Sequence, residues 1–338
     1  MGSGSRRVVV TQRFFDEASI AFLKGAGCEV ALAELPPGQA DGALSHEDLV
    51  ARLQGAAGWI VWHARVTRDL LAALPDLAVI SRRGVGYERV DLQAARDLGR
   101  VVTIAAGGND ASVADQAIGM MIGVGRRFRE AQDQMIGGAW SILMGTDLYR
   151  KTVGVVGLGR IGRSVVQRLS GFEARVLVAT SRPDPDYAAR TGVTFVDVPT
   201  LLRESDYVTV HAPLTPATRH MINAESLLTM RPGAVVINTA RGGLVSDADL
   251  LAALQAGRLG GAGLDVFESE SDPSMQPITD ALIALPNVIA APHAGASTRE
   301  GLDRTNMIAA RCVVDVLAGR TPPAECVVAD GRPGCKAA

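Results

Sequence analysis

The run Val153-Gly154-Val155-Val156-Gly157-Leu158-Gly159-Arg160-Ile161-Gly162 constrains the fold of this chain more than any other segment. A short apolar stretch leads into three glycines with G-x-G-x-x-G spacing. Such a run reads as a buried strand, a tight turn and a helix start, and in that setting the turn receives the diphosphate of a dinucleotide. Gly157 permits the turn, Gly159 lets backbone approach the diphosphate, and Gly162 lets helix and strand pack closely. Amide groups at the helix start then face the anion, with Leu158, Arg160 and Ile161 completing the turn.

The end of the next expected strand, 176–180, bears on which dinucleotide is held. A carboxylate there bonds the ribose 2′-hydroxyl of NAD and disfavours a 2′-phosphate. This chain has Thr180, Ser181 and Arg182 instead. Two hydroxyls and a guanidinium suit a phosphate dianion. The segment therefore predicts NADP (NADPH) as the preferred cofactor, with NAD also accepted. Asp184 and Asp186, slightly further on, oppose that preference.

Strands alternate with helices on both sides of the motif, which predicts an α/β fold with parallel sheets. Upstream, strands are expected at 7–11, 28–35, 59–62, 77–81 and 101–104, with helices at 17–25, 49–57, 70–74 and 92–98. A long apolar-periodic helix is expected at 112–127, extending toward Met135, with Ser112 and Asp115 approximating a capping box. Residues 137–150 read as a loop. Downstream, strands are expected at 153–156, 176–180, 207–211, 235–238, 261–266 and 288–290, with helices at 161–169, 201–204, 246–255 and 299–317. The tail after Gly319 is rich in Pro, Gly and Ala and is expected to be irregular.

A chain of 338 residues, 47% hydrophobic and 21% charged, can bury a large core and form two domains. A formal net charge of -2 gives no electrostatic reason to bind nucleic acid. Cys28, Cys312, Cys326 and Cys335 have neither metal-ligand nor redox spacing, so no metal is expected and the compartment reads as reducing. No secretory signal or spanning segment is evident, which predicts a cytoplasmic protein with no membrane partner.

Further candidates stand at expected strand ends. Arg241, in Asn238-Thr239-Ala240-Arg241-Gly242-Gly243, follows a buried strand and can clamp a carboxylate with both its nitrogens. His293, in Pro292-His293-Ala294-Gly295, becomes an acid–base group near neutral pH when a carboxylate pairs with it. The run Asp265-Val266-Phe267-Glu268-Ser269-Glu270 holds carboxylates at another strand end.

With these segments in place, the chain resembles the D-isomer-specific 2-hydroxyacid dehydrogenase family. The resemblance rests on the glycine turn, V-H-A-P-L-T at 210–215, N-T-A-R-G-G at 238–243, L-D-V-F-E-S-E at 264–270 and A-P-H-A-G at 291–295, and it runs from the first strand to about Pro323. It implies two Rossmann- or flavodoxin-like lobes with the active site in the cleft between them. Residues 1–108, completed by 296–338, would bind substrate, and 109–295 would bind the dinucleotide.

The resemblance also implies roles. Arg241 would hold the substrate carboxylate and polarise the ketone, His293 would donate the proton, and Glu270 would orient the imidazole and favour its charged form. Glu268 is a rival for Glu270, but its place beside Phe267 suggests a surface or hinge role. Asp265 would hold the nicotinamide carboxamide, and His211, Ala212, Pro213, Thr239, Ala240 and Gly295 would line the coenzyme. Arg83, Val85 and Gly86 would bind substrate, with the amides of Val85 and Gly86 meeting its carboxylate. Family members usually have Asp-Asn beside this loop, whereas this chain has Glu88-Arg89; either Arg82 or Arg83 facing the cleft would favour a second anionic group. Asn109 and Asp110 lie at the hinge. Trp140 belongs to an interface, a lid or the core. A homodimer through the coenzyme lobe is implied.

The activity implied is reduction of a small 2-oxoacid, such as glyoxylate or hydroxypyruvate, to the D-2-hydroxyacid. Two alternatives stand beside it: a phosphite- or phosphonate-type dehydrogenase of the same family, and a dinucleotide-sensing corepressor-like binding protein.

Overall fold

The computed structural model describes residues 6–33, 35 and 39–334. Glu34, inside the expected strand 28–35, and Cys335 lie outside the described residues. Five strands open the chain: β1 (Arg7–Val10), β2 (Glu29–Leu32), β3 (Gly58–Val61), β4 (Val79–Arg82) and β5 (Val101–Ile104). Seven follow: β6 (Thr152–Val156), β7 (Arg175–Ala179), β8 (Thr194–Phe195), β9 (Tyr207–Val210), β10 (Val235–Asn238), β11 (Gly261–Leu264) and β12 (Val288–Ala290). The last is β13 (Val327–Asp330).

The chain divides into two compact units, Met1–Asn109 with Ala296–Ala338, and Asp110–Gly295. The first unit holds a sheet of order β13-β5-β4-β3-β1-β2 and the second a sheet of order β12-β11-β10-β9-β6-β7-β8. Pairing is parallel within both sheets except at β13, which lies antiparallel on β5. The α/β class expected from the alternation is therefore what the chain adopts. The second sheet has the doubly wound order of a dinucleotide fold, reversing between β6 and β9.

Both faces of each sheet are covered, which is why the central strands are buried at every residue rather than at alternate ones. All five residues of β6 are buried. One cluster, including Val156, Leu177, Val208, Val236 and Leu264, packs one face of the second sheet. Another, including Met121, Val153, Val165, Tyr207 and Ile237, packs the other. Side-chain caps fix where many helices start: Asp16, Asp184, Asp197, Ser246 and Thr298 each accept a first-turn amide.

Three expectations are corrected. The helix expected at 112–127 runs Asp110–Gly125, so Ser112 and Asp115 lie inside it and form no capping box. Asp115 pairs instead with Arg168. The helix does not extend to Met135: Arg127 takes a left-handed conformation, with φ 55°, and a separate helix, Phe128–Ile136, starts after it. The tail after Gly319 is not irregular, because β13 adds to the edge of the first sheet and buries Cys326 and Ala329. No helix among the described residues is long and apolar enough to cross a membrane.

Candidate active site

In a parallel sheet every strand ends on the same edge, so loops far apart in sequence share one rim. In the second unit that rim collects Gly157–Gly162 after β6, Thr180–Arg182 after β7, His211–Pro213 after β9, Thr239–Arg241 after β10 and Asp265 after β11. His293 and Gly295 follow β12.

The glycine turn is built as the spacing predicts. Gly157 has φ 97°, and a Cβ there would fall 2.6 Å from the carbonyl oxygen of His211. A Cβ on Gly162 would fall 2.1 Å from the Gly157 carbonyl oxygen. At Gly159 a Cβ would meet nothing within 4 Å. The helix Arg160–Leu169 starts there, and no side chain caps it. An open backbone position at an uncapped helix N-terminus fits a diphosphate. Two buried polar atoms on the same rim, Thr239 Oγ1 and His211 Nδ1, have no partner among the described residues, which also fits a bound polar group. The other ring nitrogen of His211 lies 2.9 Å from Thr209 Oγ1, and burial pushes the imidazole pKa down to about 4, so the ring is neutral at pH 7.

Thr180, Ser181 and Arg182 form a turn in which the Arg182 amide donates to Thr180 Oγ1 at 3.3 Å. Ser181 and Arg182 are exposed. Asp184 does not oppose them as an isolated charge. It caps the helix Pro185–Thr191 through the Tyr187 amide at 2.9 Å and pairs with Arg163 at 3.1 Å. These bonds hold its carboxyl below the ordinary value.

Asn238 organises the Arg241 turn. Its Nδ2 donates to the Arg241 carbonyl at 2.9 Å, and its Oδ1 accepts the Ala240 amide at 3.1 Å. Arg241 itself donates through Nη1 to the Ala240 carbonyl at 2.7 Å. The next residue, Gly242, lies so close to the following loop that a Cβ would fall 2.1 Å from the Phe267 carbonyl oxygen.

His293 and Glu270 are brought together across two loops, with Nδ1 of the imidazole 2.6 Å from Oε2 of the carboxylate. His293 has φ 53°, a left-handed conformation uncommon for a side-chain-bearing residue. Asp265 holds it there. The Asp265 carbonyl accepts the His293 amide at 2.8 Å. The Asp265 side chain accepts the amides of Ala294 at 2.7 Å and Gly295 at 2.8 Å. Asp265 is buried, which raises its carboxyl pKa against the lowering effect of those two amides. This splint for the histidine turn was not evident in the sequence. Glu270 is likewise held, its Oε1 accepting the Phe267 amide at 2.9 Å. The carboxylate thus fixes the imidazole tautomer, placing the proton of Nδ1 toward Glu270 and leaving Nε2 as the position for proton exchange.

Glu268 is neither a surface residue nor the partner of His293. It is 5% exposed and bonds His220 Nε2 at 2.7 Å. In the first unit, Val85 and Gly86 follow β4, as does Arg83. Neither Arg82 nor Arg83 is solvated, both being buried. The Arg83 guanidinium stacks over Trp62 at 4.6 Å and donates to the Arg13 carbonyl at 3.0 Å. Burial lowers its pKa to about 10, so it stays charged at pH 7. It lines a cavity of about 390 Å³ with Thr11, Gln12, Phe14, Trp62 and Leu302. Arg89 donates to the His63 carbonyl at 3.2 Å. Asn109 is buried, and Asp110 begins the helix that opens the second unit. Trp140 is 82% exposed and so is not a core residue. Among the described residues no group of three or more His, Cys, Asp or Glu is placed to hold a metal ion.

Residues 118–295 match a family model described as D-isomer specific 2-hydroxyacid dehydrogenase, NAD binding domain. D-3-phosphoglycerate dehydrogenase of Methanocaldococcus jannaschii is 37% identical over 280 residues, covering 82% of this chain and 52% of that protein. The chain thus spans about half the length of the curated relatives it matches. Among solved structures, the TT0316 protein of Thermus thermophilus superposes with a TM-score of 0.84 at 35% identity, covering 95% of this chain and 99% of that one. A glyoxylate reductase from Paecilomyes thermophila gives a TM-score of 0.79 at 26% identity, covering 96% and 98%.

Proposed function

This chain belongs to the D-isomer specific 2-hydroxyacid dehydrogenase family, and we propose that it acts with a nicotinamide cofactor on the CH–OH group of 2-hydroxyacids, reducing a small 2-oxoacid to the D-2-hydroxyacid with NADPH. The observation that carries the reading is the 2.6 Å contact between His293 Nδ1 and Glu270. A histidine oriented this way by a carboxylate is a general acid–base group. The coenzyme supplies the hydride. Arg241 binds the substrate carboxylate and polarises the ketone oxygen. His293 gives a proton from Nε2 to that oxygen, and Glu270 holds the ring in place through Nδ1. The product gains one hydride at carbon and one proton at oxygen, and solvent reprotonates the histidine. In oxidation His293 serves as base. Asp265 holds the His293 turn, and its carboxylate would hold the carboxamide of a bound nicotinamide.

Preference for NADPH rests on Thr180, Ser181 and Arg182 and on the engagement of Asp184 with Arg163. Glyoxylate and hydroxypyruvate are the substrates proposed, and similarity to a glyoxylate reductase supports them. A second reading is oxidation of a phosphorylated 2-hydroxyacid. The identity to D-3-phosphoglycerate dehydrogenases favours it, as does the buried, charged Arg83 in its cavity. Initial rates with both coenzymes against glyoxylate, hydroxypyruvate, phenylpyruvate, D-3-phosphoglycerate and phosphite separate these readings. Tight NADPH binding without any turnover would instead favour a coenzyme-sensing binding protein.

The partner proposed is a second copy of the chain. Ile136, Trp140, Ile142 and Met144 stand exposed along one segment of the second unit, Ile142 at 99%. An exposed apolar run of that kind marks an association site, and a segment built on the coenzyme unit itself suits a symmetric pair.

A further inference from the structure

Glu268 and Glu270 stand two residues apart on one turn, and each is paired with a different histidine. Glu270 reaches His293, whereas Glu268 is buried against His220, Arg219 and Asp247. The Glu268 and Asp247 contacts are reciprocal. The Asp247 amide donates to Glu268 Oε2 at 3.0 Å, and the Glu268 amide donates to Asp247 Oδ2 at 2.9 Å. His220 also has a left-handed backbone, φ 49°, and its amide donates to the carbonyl of Gly243 at 2.7 Å. Gly243 lies two residues beyond Arg241. The Glu268 carbonyl in turn accepts the amides of Ser271 at 3.1 Å and Asp272 at 3.0 Å, wrapping the chain around Glu270. Glu268 therefore links the turn that carries Arg241 to the turn that carries Glu270.

A buried carboxylate is tolerated only while its oxygens are partnered, and breaking such a set is strongly unfavourable. Both oxygens of Glu268 are partnered here, Oε1 by His220 Nε2 and Oε2 by the Asp247 amide. We infer that Glu268, held by His220 and Asp247, is a positioning residue that locks the Glu270 turn against the Arg241 turn and so sets where Glu270 meets His293. The inference rests on the roles proposed above for Arg241 and Glu270. It assigns a function to His220 and Glu268 that the reaction itself does not require.

The test uses the full chain with His220→Ala, His220→Gln and Glu268→Gln, alone and with Glu270→Gln. Glutamine at 220 can still donate an N–H to Glu268 from nearly the same place as Nε2. The expected result is a fall in kcat of about tenfold or more for His220→Ala and Glu268→Gln. NADPH affinity should change less than about twofold. His220→Gln should recover most of the lost kcat, and Glu268→Gln should add little once Glu270 is already Gln. Amide hydrogen exchange should quicken in peptides covering 267–272 and 241–246 but not in the glycine turn. Parent-like kcat in His220→Ala and Glu268→Gln would overturn the inference, as would equal losses with and without Glu270. If the parent chain reduces no 2-oxoacid, the proposed activity fails. The exchange pattern then still decides the clamp, and unchanged exchange at both turns overturns it.

Discussion

Nδ1 of His293 lies 2.6 Å from Oε2 of Glu270, although 23 residues separate them in sequence. The contact exists because β11 and β12 end on the same rim, and because Asp265 captures the backbone on both sides of the left-handed His293. Removing the imidazole should therefore remove the proton donor while leaving the coenzyme turn intact. His293→Ala is expected to lower kcat about 10²- to 10⁴-fold. NADPH binding, followed by fluorescence titration, should stay within about twofold of the parent.

Coenzyme choice should follow the strand-end chemistry after β7. Thr180→Asp places a carboxylate where the 2′-phosphate would sit. It should shift the ratio of kcat/KM for NADPH over NADH by about tenfold or more toward NADH, a change of about 1.4 kcal/mol. An unchanged ratio would show that Thr180, Ser181 and Arg182 do not meet the 2′ position.

Gly157 should not tolerate a side chain. Its φ is 97°, and an added Cβ would stand 2.6 Å from the His211 carbonyl oxygen. Gly157→Ala is expected to destabilise the fold by at least about 1–3 kcal/mol and to abolish coenzyme binding. Urea denaturation together with NADPH titration measures both.

Asp247 should leave a signature in acid. It is almost fully buried, and that burial raises its carboxyl from 3.8 to about 6 in the native state. Between those two values the native state keeps a proton that the unfolded chain has lost, so stability falls as pH rises through the window. The slope from this one group is at most about 1.4 kcal/mol per pH unit. Asp247→Asn should flatten the curve from pH 4 to 6, so the variant gains on the parent as pH rises. Denaturant midpoints that stay offset by a constant amount across that range would contradict this.

The exposed segment should govern association. Ile142→Asp places a charge in the apolar run and is expected to turn a dimer into monomer, as read by sedimentation velocity. A parent chain that is already monomeric at micromolar concentration would remove the proposal.

Much of this architecture was legible in the sequence, for local reasons. Alternating apolar strands and helix-forming stretches gave the α/β class, and the three glycines located a turn whose backbone leaves no room for Cβ at two of them. What escaped depended on contacts between distant segments. Arg127 ends a helix by backbone conformation that apolar periodicity does not encode. β13 forms because a short Val-rich tail finds an open sheet edge. Glu268 read as a surface or hinge acid because its partners, His220 and Asp247, come from other loops. Asp265 read as a coenzyme ligand, and its grip on the His293 turn shows only when the strand ends are set side by side.

Hydride transfer from NADPH to a 2-oxoacid, with His293 as proton donor, is the activity proposed for this chain. The most direct measurement is NADPH oxidation at 340 nm with glyoxylate and hydroxypyruvate, run side by side for the parent and His293→Gln. Turnover is expected in the parent, favoured with NADPH over NADH, and loss of turnover in the variant with coenzyme binding retained. Parent-like turnover in His293→Gln would contradict it, as would a parent that binds NADPH and reduces neither acid.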